Sequence, residues 1–306
     1  MTMKKNKWLK MIDQFCVPPG AKVRLKDYNP GWMGGKEFKG FTKEDLKQRA
    51  QAFLQERLTL LAEAQALLWA NDTYSVLMVL QAMDAAGKDS TIKHVMSGIN
   101  PQGCQVFSFK APTSEELDHN WLWRYMKSVP QRGRICIFNR SHYEDVLVVK
   151  VHPEFLEKQR LPAECLNGKT FWEDRYQDIN AFERHLARNG TVILKFFLNV
   201  SRKEQKRRFL ERLETPAKNW KFSAADIAER AYWPKYQAAF EDALSATSTK
   251  WAPWHVIPAD HKWIARALVS EVITRTIRRL GLKPPVVTPQ RLKELATARR
   301  ALLREK

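Results

Sequence analysis

The chain has 306 residues, 44% of them apolar, enough for one large α/β domain or two small ones with a real core. Its 52 Lys and Arg against 33 Asp and Glu give a net charge of +19, so an anionic ligand is expected, and charge alone leaves nucleic acid, a membrane and a polyanionic substrate open. Cys16, Cys104, Cys136 and Cys165 lack C-x-x-C spacing, which argues against a zinc site or redox pair, and with no secretory leader or long apolar run a soluble, cytoplasmic protein is expected.

In chain order, residues 1–40 carry PPG, NPG and GGK, a density of breakers that predicts an extended N-terminal arm wrapped on the main body. Thr42, followed by Glu44 and Asp45, is a helix-capping signature. The spacing of Leu46, Phe53, Leu54, Leu58 and Leu61 then predicts one long amphipathic helix ending at Asn71 and Asp72. Five apolar runs bounded by polar residues read as buried strands: SVLMVLQ (75–81), QVFSFK (105–110), RICIFNR (134–140), TVILKFFLNV (191–200) and WHVIPA (254–259). Helical stretches lie between them, among them TSEELDHNWLWRYMKSV, KTFWEDRYQDINAFERHLARNG and HKWIARALVSEVITRTIRRLGL. This alternation predicts an α/β fold over residues 41–283, a three-layer α/β/α arrangement with a central parallel sheet whose ligands bind beyond the C-terminal strand ends. Residues 284–306 read as a linker and a basic C-terminal tail helix.

The chemistry concentrates in three places. VLMVLQAMDAAGKDST runs from the first strand into a helix through Gly87 and Lys88, the setting in which a Gly-Lys pair forms a phosphate-binding loop. The pattern G-x-x-x-x-G-K-[ST] would want Gly at Ala82 and a hydroxyl at Asp89, so Ser90 or Thr91 would have to supply that hydroxyl. A strand-to-helix turn with a solvated lysine is the plain alternative. Asp84 would repel phosphates in such a loop unless a divalent cation lies between, so it argues for a metal; an Asp capping its own loop amides is the alternative.

The second place is IFNRSHYEDVLVVKVHPE (137–154), where a strand ends in Asn139, Arg140 and Ser141, with Tyr143, Glu144 and Asp145 just beyond. Arg140 offers a rigid fork for phosphate oxygens, and a magnesium-binding acid is wanted here. His142 and His152 have no partner at ligand or nucleophile spacing and on the residues alone read as packing groups. The third is residues 199–240, where Arg202, Lys206, Arg208, Arg212, Lys218 and Lys221 crowd together after the fourth strand. A solvated helix face accounts for any one of them. A basic helix, a Thr-Pro break and a capped second helix over about 203–235 nonetheless predict a lid that excludes water from a transferring phosphoryl group.

QAMDAAGKDST, FNRSHYEDVLV, LKFFLNVSRKEQKRRFLERLE, NWKFSAADIAER and APWHVIPADHKW occur in this order, and from about residue 20 to residue 280 the chain resembles the polyphosphate kinase 2 family. The resemblance implies a P-loop kinase-like fold with a helical lid, and Mg²⁺-dependent phosphorylation of nucleotides by inorganic polyphosphate, with Mn²⁺ as a substitute. Ala82 and FNRSHYED are similar to the class III branch, whose members phosphorylate AMP and ADP; GMP and GDP are further acceptors to consider. The resemblance makes Asp84, Lys88 and Arg140 catalytic, with Asp84 orienting the acceptor phosphate through Mg²⁺ and Lys88 on the donor. It puts Ala85, Ala86, Gly87, Asp89, Ser90, Arg208 and Lys221 against phosphate, and Asn139, Arg140, His142, Tyr143 and Glu144 against the nucleotide. Many members have Asp where this chain has Asn139, so part of the metal's electrostatic support passes to Glu144 or Asp145, and Asp84 with Asp145 forms the expected metal set. Transfer would be in-line, reversible and without a phosphoenzyme, in a homo-oligomer (dimer or tetramer) with no nucleic-acid or membrane partner. An ATP-dependent nucleotide kinase of the same fold and a basic nucleic-acid-binding protein remain the alternatives, although Trp121, Trp123, Trp172 and Trp233 sit in helical stretches where packing suffices.

Overall fold

The computed structural model describes residues 12–166 and 170–305, without the side chains of Glu37 and Lys221. All five apolar runs form strands: β1 (Ser75–Gln81), β2 (Cys104–Ser108), β3 (Ile135–Asn139), β4 (Thr191–Asn199) and β5 (Trp254–Pro258). They pair in parallel in the order β2-β3-β1-β4-β5. Every residue of β1 is buried, as a central strand covered on both faces requires. The chain runs outward from β1 to β2, returns to set β3 beside β1, then crosses to β4. That reversal leaves a crevice beyond the C-terminal ends of β1 and β3.

The helices are α1 (Lys43–Asn71), α2 (Lys88–Val95), α3 (Ser114–Asp118), α4 (Trp123–Met126), α5 (Glu144–Val151), α6 (Glu154–Glu157) and α7 (Ala163–Leu166). They continue with α8 (Phe171–Arg188), α9 (Arg202–Glu214), α10 (Ala224–Glu229), α11 (Trp233–Thr247), α12 (Lys262–Arg279) and α13 (Pro289–Leu302). One outer layer joins α1, α2 and α12, and the other α5, α8 and α11. The predicted capping of α1 is a full capping box: Asp45 N donates to Thr42 Oγ1 and Thr42 N to the Asp45 carboxylate, each at 3.1 Å. Asp72, left-handed at φ 53°, closes it. The single helix expected over TSEELDHNWLWRYMKSV is instead two short ones, α3 and α4. They are separated where Asn120 Oδ1 accepts from Leu122 N at 3.0 Å, a local bond that competes with the helical ladder.

The described part of the arm lies along β5. Cys16 bridges His255, Val17 N donates to Trp254 O at 2.8 Å, and Asn199 Nδ2 donates to Tyr28 O at 2.8 Å. Ile12, Phe15, Val17, Val23 and Leu25 are buried there, covering a sheet edge that would otherwise expose unpaired amides. Residues 1–11 lie outside the described residues. No residue of α13 is buried. The four cysteines are free, and among the described residues no helix is long and apolar enough to cross a membrane.

Inside the α1–α12 contact, Arg57 Nη1 meets Glu271 Oε2 at 2.9 Å, with both side chains nearly closed to solvent. Arg57 also meets Glu56 at 2.9 Å, so the consequence falls on the other partner: removing Arg57 would leave the Glu271 carboxylate buried without its bonded cation. Arg57→Ala should lower unfolding free energy by about 3–5 kcal/mol, whereas Arg57→Met combined with Glu271→Leu should recover most of the loss, both read from urea denaturation.

Candidate active site

The link from β1 to α2 is a tight strand-to-helix loop with two left-handed residues. Ala82 is not one of them; Ala85 (φ 58°) and Gly87 (φ 109°) are, and Gly87 is the N-cap of α2. Alanine in that conformation costs about 1–2 kcal/mol, so the loop must be held by its surroundings. Lys88 folds back over it, Nζ donating to Ala82 O at 3.1 Å, and burial pushes the ammonium pKa down against the opposing pull of Asp84.

Arg208 on α9 holds the same loop from behind. Its Nη1 donates to Ala85 O (3.0 Å) and Ala86 O (2.6 Å), its Nη2 to Ala259 O (2.6 Å) and Asp260 O (3.1 Å), and its Nε to Glu204 Oε1 (2.8 Å). Five N–H donors meet five acceptors. Arg208 lines the cleft and lends it charge. Expected against phosphate, it braces the loop while lining the cleft. Beside it Gln205 Nε2 donates to Asp84 O at 2.9 Å.

From the other side comes the turn after β3. Arg140 is left-handed (φ 61°), its N donating to Leu80 O at 3.2 Å, and its Nη2 stands 3.3 Å from Asp84 Oδ1. Burial would lower its pKa, but Glu144 and Asp84 outweigh burial and raise it. Glu144 is pushed up by burial, against Arg140 and Lys88. Asn139 Nδ2 donates to Asp89 Oδ1 at 2.8 Å and to Ser108 Oγ at 3.3 Å, while its buried Oδ1 has no hydrogen-bond partner among the described residues. Asp84, Lys88, Asp89, Ser90, Asn139 and Arg140 thus share one cleft of about 600 Å³.

Three expected residues stand elsewhere. His142 and Tyr143 are closed to solvent and bind Glu183, with Tyr143 Oη donating at 2.8 Å, so neither faces a nucleotide here. Asp145 does not join Asp84. One step beyond Glu144 on a helix is about 100° of rotation, and this turns Asp145 toward Tyr125 Oη (3.1 Å) and Gln159 Nε2 (2.9 Å), away from the cleft that holds Asp84. Ala86 is buried behind the loop. The side chain of Lys221 lies outside what is described.

Sequence reasoning missed Lys110, Lys262 and Arg266. Lys110 and Lys262 line the cleft, and Arg266 Nη2 donates to Ser90 Oγ at 2.6 Å. Burial and then the charge of Arg208 push the pKa of both Lys262 and Arg266 down, so positive charge is crowded here. The i, i+4 pair in HKWIARA was the available signal. Other cations of the basic run are partnered: Arg207 with Glu204 (2.7 Å), Arg212 with Asp226 (3.4 Å) and Lys218 with Glu211. A second, apolar pocket of about 350 Å³, lined by Leu117, Trp121, Tyr125 and Phe155, adjoins the first; Lys110 and Arg140 line both.

Arg208→Lys, with three donors for five acceptors, should cost about 2–4 kcal/mol of stability in urea denaturation. Burial pushes the Asp145 carboxyl from an ordinary 3.8 up to about 6. A raised acid contributes stability that is complete below about pH 4 and lost as pH rises through about 6. Asp145→Asn should therefore flatten the pH profile of stability and gain roughly 1–3 kcal/mol on the parent chain at neutral pH.

A family model described as Polyphosphate kinase 2 (PPK2) matches residues 42–282. An ADP-polyphosphate phosphotransferase of Rhodopseudomonas palustris is 51% identical over 258 residues, 84% of this chain and 89% of that protein. An AMP/ADP-polyphosphate phosphotransferase of Meiothermus ruber is 44% identical over 278 residues, 90% and 96% of the two chains. The crystal structure of Polyphosphate Kinase 2 from Arthrobacter aurescens TC1 is similar with a TM-score of 0.82 and 38% identity, covering 94% of this chain and 96% of that one. With its parallel sheet, its Gly-Lys loop after β1 and a match that runs through both, the chain belongs to the polyphosphate kinase 2 family.

Proposed function

We propose that this chain is a kinase that transfers the terminal phosphoryl group of inorganic polyphosphate to AMP and ADP, giving ADP and ATP, reversibly and in the class III manner. The observation that carries the reading is the junction of two unlike cavities at Arg140 and Lys110, one crowded with cations and one apolar. A polyanion with no bases to read suits the first, and the nucleoside of an acceptor suits the second. Family membership and the names of its relatives support the same substrates.

In the proposed reaction an acceptor phosphate oxygen forms a bond to the terminal phosphorus while the bridging P–O bond of the donor breaks, the shortened chain leaving with the electron pair. Lys88 and the loop amides hold the donor end, Lys110 and Lys262 the chain behind it, and Arg140 bridges the transferring and accepting phosphates. A loose transition state leaves the protein mainly alignment and charge neutralisation. Asp84, Asp89 and the unpartnered Oδ1 of Asn139 are oxygen donors beside the loop. This set fits Mg²⁺, which takes one or two carboxylates and completes its shell with water and substrate phosphates. Bound there, the cation would neutralise phosphate charge and draw the acceptor past the Asp84 carboxylate.

The test is to mix the protein with Mg²⁺, long-chain polyphosphate and AMP or ADP, without ATP, and to separate the nucleotides. ATP from both acceptors is expected. No product with polyphosphate, but phosphorylation of AMP by ATP, would replace the donor. Asp84→Asn should lower kcat by roughly 10²–10³-fold with the unfolding midpoint unchanged; near-normal turnover would remove Asp84 from its role.

A further inference from the structure

Beneath the cleft lies a set of ionisable groups that no step above uses. Lys195 in β4 and Glu183 on α8 are closed to solvent together with His142 and Tyr143. Lys195 Nζ donates to Glu183 Oε2 (2.6 Å), Thr247 O (2.7 Å) and Tyr143 Oη (2.8 Å), so its three hydrogens have three acceptors. The Tyr143 hydroxyl donates to Glu183 Oε1 at 2.8 Å, and His142 Nε2 stands 3.3 Å from the same oxygen. Burial opposes ionisation of Glu183, yet Lys195 and His142 hold its carboxyl below the usual range.

A buried ion pair is weak evidence for stability, because well-packed apolar residues of equal volume often serve as well. Position distinguishes this one. The two residues that Glu183 grips are the two central residues of the segment from Ser141 to Glu144, one residue past Arg140. Arg140 is in a conformation that a residue with a side chain holds only under constraint. The sheet side of the turn is fixed by Arg140 N to Leu80 O (3.2 Å) and Gln81 Nε2 to Ser141 Oγ (3.1 Å). The helix side is fixed by the buried network.

We propose that Lys195 and Glu183 are positioning residues for phosphoryl transfer: through Tyr143 and His142 they hold the turn that aims Arg140 at the reacting phosphates. The proposal rests on the reaction read above. It separates the charged pair from ordinary core packing by predicting an effect that runs through Arg140.

The discriminating variant is Tyr143→Phe, which keeps the ring against Trp254 (4.7 Å between centroids) and leaves Lys195 paired with Glu183. It should stay folded, with an unfolding midpoint lowered only by the one hydroxyl that Lys195 and Glu183 lose, and its KM for polyphosphate should stay within about twofold, while kcat falls roughly 10-fold, the scale of a small loss of alignment. In an Arg140→Lys background the same change should cost less than about twofold, since the group being aimed is already altered. Lys195→Met combined with Glu183→Leu should fold and lose kcat as Tyr143→Phe does. A folded Tyr143→Phe with parental kcat, or a loss of equal size with and without Arg140→Lys, overturns the role even if the double replacement fails to fold. The parent chain assayed alongside separates the two readings: its inactivity overturns the reaction and this role together, whereas an active parent beside an unaffected variant overturns the role alone.

Discussion

Three separate pieces of chain converge on the guanidinium of Arg208. Its donors hold the carbonyls of Ala85 and Ala86 in the loop and those of Ala259 and Asp260 after β5, while Glu204 on its own helix takes the fifth. Four backbone carbonyls and one carboxylate satisfy a charge that is almost entirely buried, and among the described residues Glu204 is its paired acid. Burial first, and then that charge, disfavours the protonated forms of Lys262 and Arg266. The interaction that shapes the loop therefore also makes the neighbouring cleft short of negative charge, and an anionic ligand relieves both.

Two alternatives to glycine carry the strain of the site. Ala85 and Arg140 are both left-handed, one in the loop after β1 and the other in the turn after β3, on adjacent strands. Each costs on the order of 1–2 kcal/mol and persists because its peptide groups are bonded to something rigid. For Ala85 the rigid partner is Arg208, and for Arg140 it is Leu80 in the central strand. Arg140 and Asp84 meet across the cleft at 3.3 Å, and Arg140 stands at the border of the polar and apolar cavities.

The architecture was legible because its central strands are covered on both faces: SVLMVLQ and RICIFN read as apolar runs, and they are the two that form the crevice. The loop was legible from its place between strand and helix even though Ala82 and Asp89 break the pattern. Where the structure places residues differently from the sequence reading, the reasons are identifiable. Asp145 and Glu144 are one residue apart, and sequence does not say which side of the first helical turn faces the cleft. Arg208 was counted as a cation because composition records charge, while its five acceptors are mostly backbone carbonyls that composition cannot record. Tyr143 and His142 look like site residues because they adjoin Arg140; their partners, Glu183 and Lys195, lie in two other elements.

The arm along β5 has a consequence for how the chain is made. Its contacts join the beginning of the sequence to strands and helices near the end: Cys16 to His255, Val17 to Trp254 and Val23 to Ser245. On a ribosome the arm emerges well before β5 and α11, and its docking surface does not exist until both have been synthesised. The buried side chains of Phe15, Val17 and Leu25 must stay solvated, or held by other surfaces, until then. Closing so long a loop makes docking of the arm a late event in folding, after the central strands have paired.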